Sequence, residues 1–329
     1  MAPQTRTMSR GAASHTAKSR AAKNRSAKSR SAKSRAAKNR AGRIRIGISG
    51  WRYAGWRGSF YPKELRQKDE LSYASRHFDT IEINGTHYSL QRPESFAPWH
   101  DETPEDFVFA VKGSRFITHM KQLRDIETPL ANFFASGVLR LEEKLGPFLW
   151  QFAPRFRFDA EKLDRFLALL PRDSEAAAAM AQRHDHRLNG RAWTRTERNR
   201  RLRHAVEIRH PSFLDPAFVR LLRRHDVALV FADAVDWPYA EDVTADFLYL
   251  RLHGSQELYA SGYDDDALDR WATRIRTWSE GGEPNDAELI DTKHRPRRRA
   301  RDVYVYFDND AKVRAPIDAQ SLRRRLASG

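Results

Sequence analysis

No cysteine occurs among the 329 residues. That removes disulfides, thiolate metal sites and cysteine nucleophiles from the chemistry open to the chain. No apolar run approaches the ~18 residues of a membrane-spanning helix, and no apolar signal segment opens the sequence. A soluble, cytoplasmic protein is expected. The phosphate-cradling patterns GxxxxGK[ST] and GxGxxG are missing. So is the GxSxG nucleophile elbow, and Ser255 near His253 is a pair that any loop could contain.

Acidic residues are missing from one stretch. Residues 1–42 hold five Lys and seven Arg and no Asp or Glu. The formal charge is +16, yet residues 43–329 carry 47 basic against 43 acidic side chains, so the high pI belongs mainly to this tail. From Ala17 to Ala41 it repeats AKSRA, AKNRS, AKSRS, AKSRA, AKNRA. With nothing apolar larger than Ala and like charges throughout the repeat, a disordered basic tail is expected. Nonspecific nucleic acid is its candidate partner, through counterion release. A solvated extension, a misplaced start and a transit peptide are the other readings, the last weakened by the lack of any Leu or Phe.

What is present from Arg43 onward is alternation. Eight strand-like runs recur: Ile44–Ser49, Asp79–Asn84, Phe107–Lys112, Phe148–Phe152, His204–Arg209, Ala228–Asp233, Phe247–His253 and Val303–Asp308. Helix signals separate most of them: Pro129–Leu145 with a stop at Gly146, Asp159–Leu170, an Ala-rich segment over Ser174–Leu188, a start at Asp215–Pro216, Asp264–Ser279 before Gly281–Gly282, and Pro316–Leu326. Eight βα units at this length predict an α/β fold, a (β/α)8 TIM-like barrel over residues 43–329. The interval from Asp233 to Phe247 is too short for a crossover helix, so one βα unit is expected to be degenerate. Two basic runs, RAWTRTERNRRLR from Arg191 and RPRRRAR from Arg295, are assigned to solvated surface away from the catalytic face.

Period-two alternation also assigns the interior. In FLYLRLH the leucines share one side, and Tyr249, Arg251 and His253 share the other. The same rule turns Thr80, Glu82 and Asn84 inward, with Val108, Ala110 and Lys112; Leu149 and Gln151; Ala205, Glu207 and Arg209; Leu229, Phe231 and Asp233; and Tyr304, Tyr306 and Asp308. Six strands thus deliver an ionisable group near their C-terminal ends, the face on which TIM-barrel sites are built. Arg251 is expected to find its carboxylate partners in Glu82 and Glu207, because a buried charge needs compensation. Loop aromatics, among them Trp51 and Tyr88, would rim a charged pit suited to a sugar or nucleobase joined to an anion.

The stretches GISGW at Gly47, FDTIEINGTHYSLQRPESF from Phe78, FVFAVKGSRFITH from Phe107, FLWQFAP from Phe148, AVEIRHPSF from Ala205, LRLHG at Leu250 and YVYFDND from Tyr304 resemble the domain of unknown function 72, or YecE-like, family. The resemblance covers about residues 43–326. It implies a TIM barrel and a cytoplasmic protein and supplies no reaction. Asp308 stands where the resemblance leads one to expect Asn.

From these residues we expect an enzyme acting on an anionic, phosphate- or carboxylate-bearing, sugar- or nucleotide-like substrate. Glu82, Glu207, Asp233 and His253 are the catalytic candidates. Asn84, Lys112, Arg209, Arg251, Asp308, Trp51 and Tyr88 are the substrate-binding candidates. A metal would draw on Glu82, His119, Glu207, Asp233, His253 and Asp308, but Lys112, Arg209 and Arg251 project into the same volume and would repel it. No strand carries the HxH spacing of zinc barrels, and HDH at His184 lies in the insertion. No metal and no other cofactor is therefore expected. The alternative reading is a nucleic-acid-binding module that recognises an end or a damaged nucleotide, aided by the basic tail.

Overall fold

The computed structural model of the chain describes Met1 and residues 41–254, 258–294 and 296–327. The expectation for the basic tail lies outside the described residues, except for Met1 and its last two positions. Ser255 lies outside them as well.

Eight strands close into one all-parallel barrel in chain order: β1 (Ile44–Ser49), β2 (Thr80–Ile83), β3 (Val108–Lys112), β4 (Leu145–Gln151), β5 (His204–Glu207), β6 (Ala228–Asp233), β7 (Phe247–Leu252) and β8 (Asp302–Phe307). β8 pairs with β1 over five residues, from Ile44 against Val303 to Ile48 against Phe307, and this closes the ring. Alternation sorts each strand into two faces. Ile46, Ile48, Ile81, Ile83, Val303 and Val305 belong to the large apolar layer between barrel and helices. Val108, Ala110, Leu149, Ala205, Tyr249 and Tyr306 form a separate cluster that fills the barrel.

Side-chain caps fix several helix starts. Asp159, Asp215 and Asp264 accept from the backbone N–H groups of Lys162, Ala217 and Ala267, ahead of helices Ala160–Leu169, Pro216–Arg224 and Asp265–Ser279. The chain ends its described part in helix Arg314–Ala327. The degenerate unit is as expected: no helix joins β6 to β7 among the described residues. Its place is taken by a later segment, whose Ile290 and Asp291 N–H groups donate to the buried Asp242 carboxylate.

Four expectations are corrected. The helix expected over Pro129–Leu145 is Glu127–Ala135, followed by a 3-10 stretch, Val138–Lys144. The stop is Gly137, at φ 110°, where a Cβ would lie 2.5 Å from the Pro93 Cα, while Gly146 sits inside β4. The Ala-rich helix spans only Ser174–Ala181, with a 3-10 turn at His186–Leu188.

The third correction concerns β6, whose phase is opposite to that expected. Ala228, Val230 and Ala232 face inward, and Leu229 and Phe231 pack outward, Phe231 against Trp278 with ring centroids 5.2 Å apart. Volume is the cause. The interior already holds Phe247, Tyr249, Tyr304 and Tyr306, and small residues on the adjacent strand fit where Leu and Phe would not.

The basic runs are not simply solvated. Arg201 pairs with Asp226 and Asp246, and Arg203 pairs with Asp302 at 2.7 Å. Trp193 lies between the guanidinium groups of Arg140 and Arg195, at 4.5 and 4.3 Å from its ring centroid. In the second run Arg301 is buried, donates to the Arg297 carbonyl at 2.7 Å and leaves Nε and Nη1 without partners.

Candidate functional site

At the C-terminal end of the barrel, Arg251 occupies the centre. Its Nε and Nη2 meet Glu82 Oε2 and Oε1 at 3.1 and 2.9 Å. Nη1 donates to Glu207 Oε2 at 2.7 Å, and Nη2 donates to Asp308 Oδ2 at 2.8 Å and to Ser49 Oγ at 3.1 Å. Burial disfavours the guanidinium, yet Asp308, Glu82 and Glu207 outweigh it and push its pKa further up. Arg251 is therefore a permanent cation fixed by three carboxylates.

The carboxylates are saturated in turn. Glu82 also accepts from the Ser49 and Tyr249 hydroxyls, and Glu207 accepts from Gln151 Nε2 at 2.8 Å and Arg209 Nε at 2.9 Å. Burial alone would raise the pKa of Glu207. Arg251 and Arg209 reverse that and hold it below the ordinary carboxylate range. For Asp308 burial is likewise outweighed, chiefly by Arg251, and its pKa is held down. His253 Nδ1 lies 3.1 Å from Asp308 Oδ2 without hydrogen-bond alignment, and burial followed by the Arg251 charge keeps the ring neutral. Among the described residues no group of three or more His, Asp or Glu side chains is arranged to hold a metal ion. Arg251 stands where the carboxylates converge.

Above this network lies a cavity of about 650 Å³. Trp51, Asn84, Tyr88, Lys112, Arg209 and Asp308 all line it, six of the seven expected binding residues. The seventh, Arg251, lies beneath them and is fully buried with Glu82, Glu207 and His253. Trp51 is partly an anchor: its carbonyl accepts from the Tyr61 hydroxyl at 2.6 Å and its ring meets Trp99 edge-on at 5.3 Å. Tyr88 is 68% exposed, with the Arg115 guanidinium 5.9 Å from its ring centroid. Asn84 Nδ2 donates to Ser49 Oγ at 3.0 Å, while its Oδ1 has no partner. The Arg209 guanidinium lies 3.7 Å from the centroid of Trp237, which keeps its plane fixed at the cavity wall.

Asp233 is not brought to this centre. It shares the phase of Leu229 and Phe231, and its Oδ2 accepts from the Tyr263 hydroxyl at 2.8 Å on the outer side of the barrel. Burial raises its pKa. His119 sits outside the Arg251 network, with Nδ1 2.8 Å from Thr118 Oγ1.

Several participants were missed. Ser49 is the inward end of β1, so the same alternation would have found it. Asp310 carried no such signal, because it follows β8 in a loop; it lines the cavity, and burial together with the Asp308 charge raises its pKa to about 6. Tyr53 and Tyr259, by contrast, belong to the loop aromatics expected at the rim, and both line the cavity, Tyr53 through the turn that Gly50 permits at φ +82°.

The family model described as "Protein of unknown function DUF72" matches residues 45–329. The chain belongs to the DUF72 family. Curated relatives are similar over shorter stretches: UPF0759 protein YecE of Escherichia coli (strain K12) is 32% identical over 116 residues, which is 34% of this chain and 41% of that protein. UPF0759 protein YunF of Bacillus subtilis (strain 168) is 31% identical over 103 residues, 30% of this chain and 36% of the relative. The matches thus span about two fifths of these relatives' length. Solved DUF72 structures share the fold. One from Thermotoga maritima MSB8 is 24% identical with a TM-score of 0.65 and covers 87% of this chain and 99% of its own. Another, from Enterococcus faecalis V583, is 18% identical with a TM-score of 0.59, covering 86% and 95%.

In this DUF72 chain Asp308 has a clear electrostatic consequence. Glu82, Glu207 and Asp308 supply three negative charges against Arg251, Arg209 and Lys112, so the centre is balanced when Lys112 is protonated. Asparagine at 308 would leave it one positive charge in excess. No helix of the described residues is long and apolar enough to cross a membrane.

Proposed function

We propose that this protein is an enzyme acting on an anionic, phosphate- or carboxylate-bearing, sugar- or nucleotide-like substrate at the C-terminal face of its barrel. One observation carries the reading. Lys112 is 7% exposed, lines the cavity, and makes no side-chain hydrogen bond or ion pair with any described residue. A buried cation normally has its partner within the fold; here the open side of the ammonium is the cavity. Arg209 lines the same cavity, its Nε held by Glu207 and its Nη2 donating to the Tyr259 hydroxyl at 3.5 Å, so Nη1 and the second Nη2 hydrogen are left for carboxylate or phosphate oxygens. The aromatic rim of Trp51, Trp99 and Tyr88 suits the ring portion of such a substrate.

Acid–base chemistry in this reading falls to groups that reach the cavity. Glu82 and Glu207 are wholly buried and saturated with donors, so they fix Arg251 and Arg209. Asp310, with a pKa near neutrality, is the group suited to give and take a proton. His253 lies beneath Asp308 and shapes its field.

The test is thermal. Inorganic phosphate or sulfate should raise the melting temperature through binding to the folded state, and Arg209→Ala should abolish the rise. EDTA should leave the melt unchanged. Destabilisation by EDTA with recovery on adding a divalent ion would overturn this reading and make the carboxylates metal ligands.

A further inference from the structure

Two buried lysines in this fold invite comparison. Lys144 is 4% exposed, and its Nζ donates to the carbonyl oxygens of His100 and Thr103, the latter at 2.8 Å, and to Thr103 Oγ1 at 3.3 Å. Three oxygens satisfy its three donors, which is how a structural lysine is held. Lys112 is 7% exposed and has none of these contacts. It ends β3 and feels the charge of the fixed cation Arg251. His87 and His119, which in turn feel the Lys112 charge, are both neutral, with pKa values lowered by burial to about 3 and about 4. Glu82, Glu207 and Asp308 pull the other way, but Arg251 already engages all three. Burial first, and then the Arg251 charge, push the Lys112 ammonium down from its ordinary value. An amine that is desolvated, set beside a permanent cation and left without a hydrogen-bond partner is in the state that makes lysine nucleophilic.

We propose that Lys112 is an imine-forming nucleophile, and that the substrate carries an aldehyde or ketone carbonyl as well as the anionic group held by Arg209. This rests on the anionic-substrate reading and narrows it to carbonyl-bearing phosphates or carboxylates. The neutral Lys112 amine attacks the carbonyl carbon; a C–N bond forms, the carbonyl electron pair moves to oxygen, and a proton passes from the nitrogen to that oxygen, which restores the nitrogen lone pair. The resulting carbinolamine then loses water, its nitrogen lone pair forming the C=N bond as the hydroxyl leaves with a second proton. Asp310, which lines the same cavity and has a pKa of about 6, is the group that can hold and deliver that proton. The product is an iminium bound to Lys112, and no oxidant or reductant is consumed. The Asn84 Oδ1, without a partner at the cavity, is an acceptor suited to a substrate hydroxyl.

The experiment uses the full chain with dihydroxyacetone phosphate, and in a second arm pyruvate, each in the presence of sodium cyanoborohydride. Hydride reduction converts an iminium into a stable secondary amine that peptide mapping by mass spectrometry locates. The expected result is labelling of Lys112 several-fold above the exposed Lys63 and Lys68, suppressed by excess inorganic phosphate, and lost in Lys112→Arg. Whichever arm labels identifies the anionic group. The mapped adduct on the wild-type chain is informative even where the variant fails to fold. Labelling of Lys112 no greater than that of Lys63 and Lys68 in both arms, while inorganic phosphate still raises the melting temperature, would overturn the imine and leave the anion site standing. Failure of both measurements would remove both.

Discussion

Arg251 and Glu82 meet edge to edge, Nε to Oε2 at 3.1 Å and Nη2 to Oε1 at 2.9 Å, with neither side chain exposed. Both charges are withdrawn from water, so each depends on the other. Replacing Arg251 by Met is expected to destabilise the fold by about 3–5 kcal/mol, because it strands carboxylates inside the barrel. Adding Glu82→Gln should recover part of that loss and no more, since Glu207 and Asp308 remain. Denaturant unfolding of both single variants and the double variant measures the coupling, and strictly additive losses would show that the pair does not interact.

Acid should find the same network. A carboxylate whose folded pKa lies below its unfolded value of about 4 contributes stability that is present above that value and is lost as the pH falls through the folded one. Glu207 and Asp308 are both of this kind. The acid limb of stability should therefore begin near pH 4 and continue below it. Asp308→Asn should lower stability at pH 7 and shrink the difference in melting temperature between pH 7 and pH 3. An unchanged difference would show that Asp308 is not held ionised.

Asp310 gives anion binding a pH dependence of its own. Its pKa of about 6 means that the carboxyl is neutral below this value and negative above it. Because it lines the same cavity as Lys112 and Arg209, ionisation opposes an incoming anion. Sulfate, which does not itself titrate in this range, should bind more tightly at pH 5 than at pH 7.5. Isothermal titration at the two values checks this, and Asp310→Asn should flatten the dependence.

A chain beginning at Arg43 should melt with the full chain. The repeat Ala17–Ala41 offers no apolar side chain larger than Ala to bury. Any affinity of the full chain for nucleic acid should fall steeply with salt and lose that slope when residues 1–42 are removed. A slope that persists in the shortened chain would assign nucleic-acid binding to the barrel and favour the recognition-module alternative.

Much of the fold was legible because strand geometry has a period of two, which decides which residues share a face before any packing is known. Glu82, Lys112, Glu207, Arg251 and Asp308 were placed that way, and the closed parallel order brings their strand ends to one rim. Which of the two faces turns inward was legible only where the polar residues marked it. In β6 both faces are apolar until Asp233, and the space left by four neighbouring aromatic side chains decided the phase. The contrast between the two buried lysines was closed to sequence. Lys112 and Lys144 are both buried, and only the fold brings carbonyl oxygens to one and a cavity to the other. Asp310 and Trp237 are similar cases, for loops have no period, and their partners come from chain segments that meet only when the barrel closes. Local repeat geometry thus set the inventory of the site, while long-range packing decided which charges are compensated inside the protein and which remain open to a ligand.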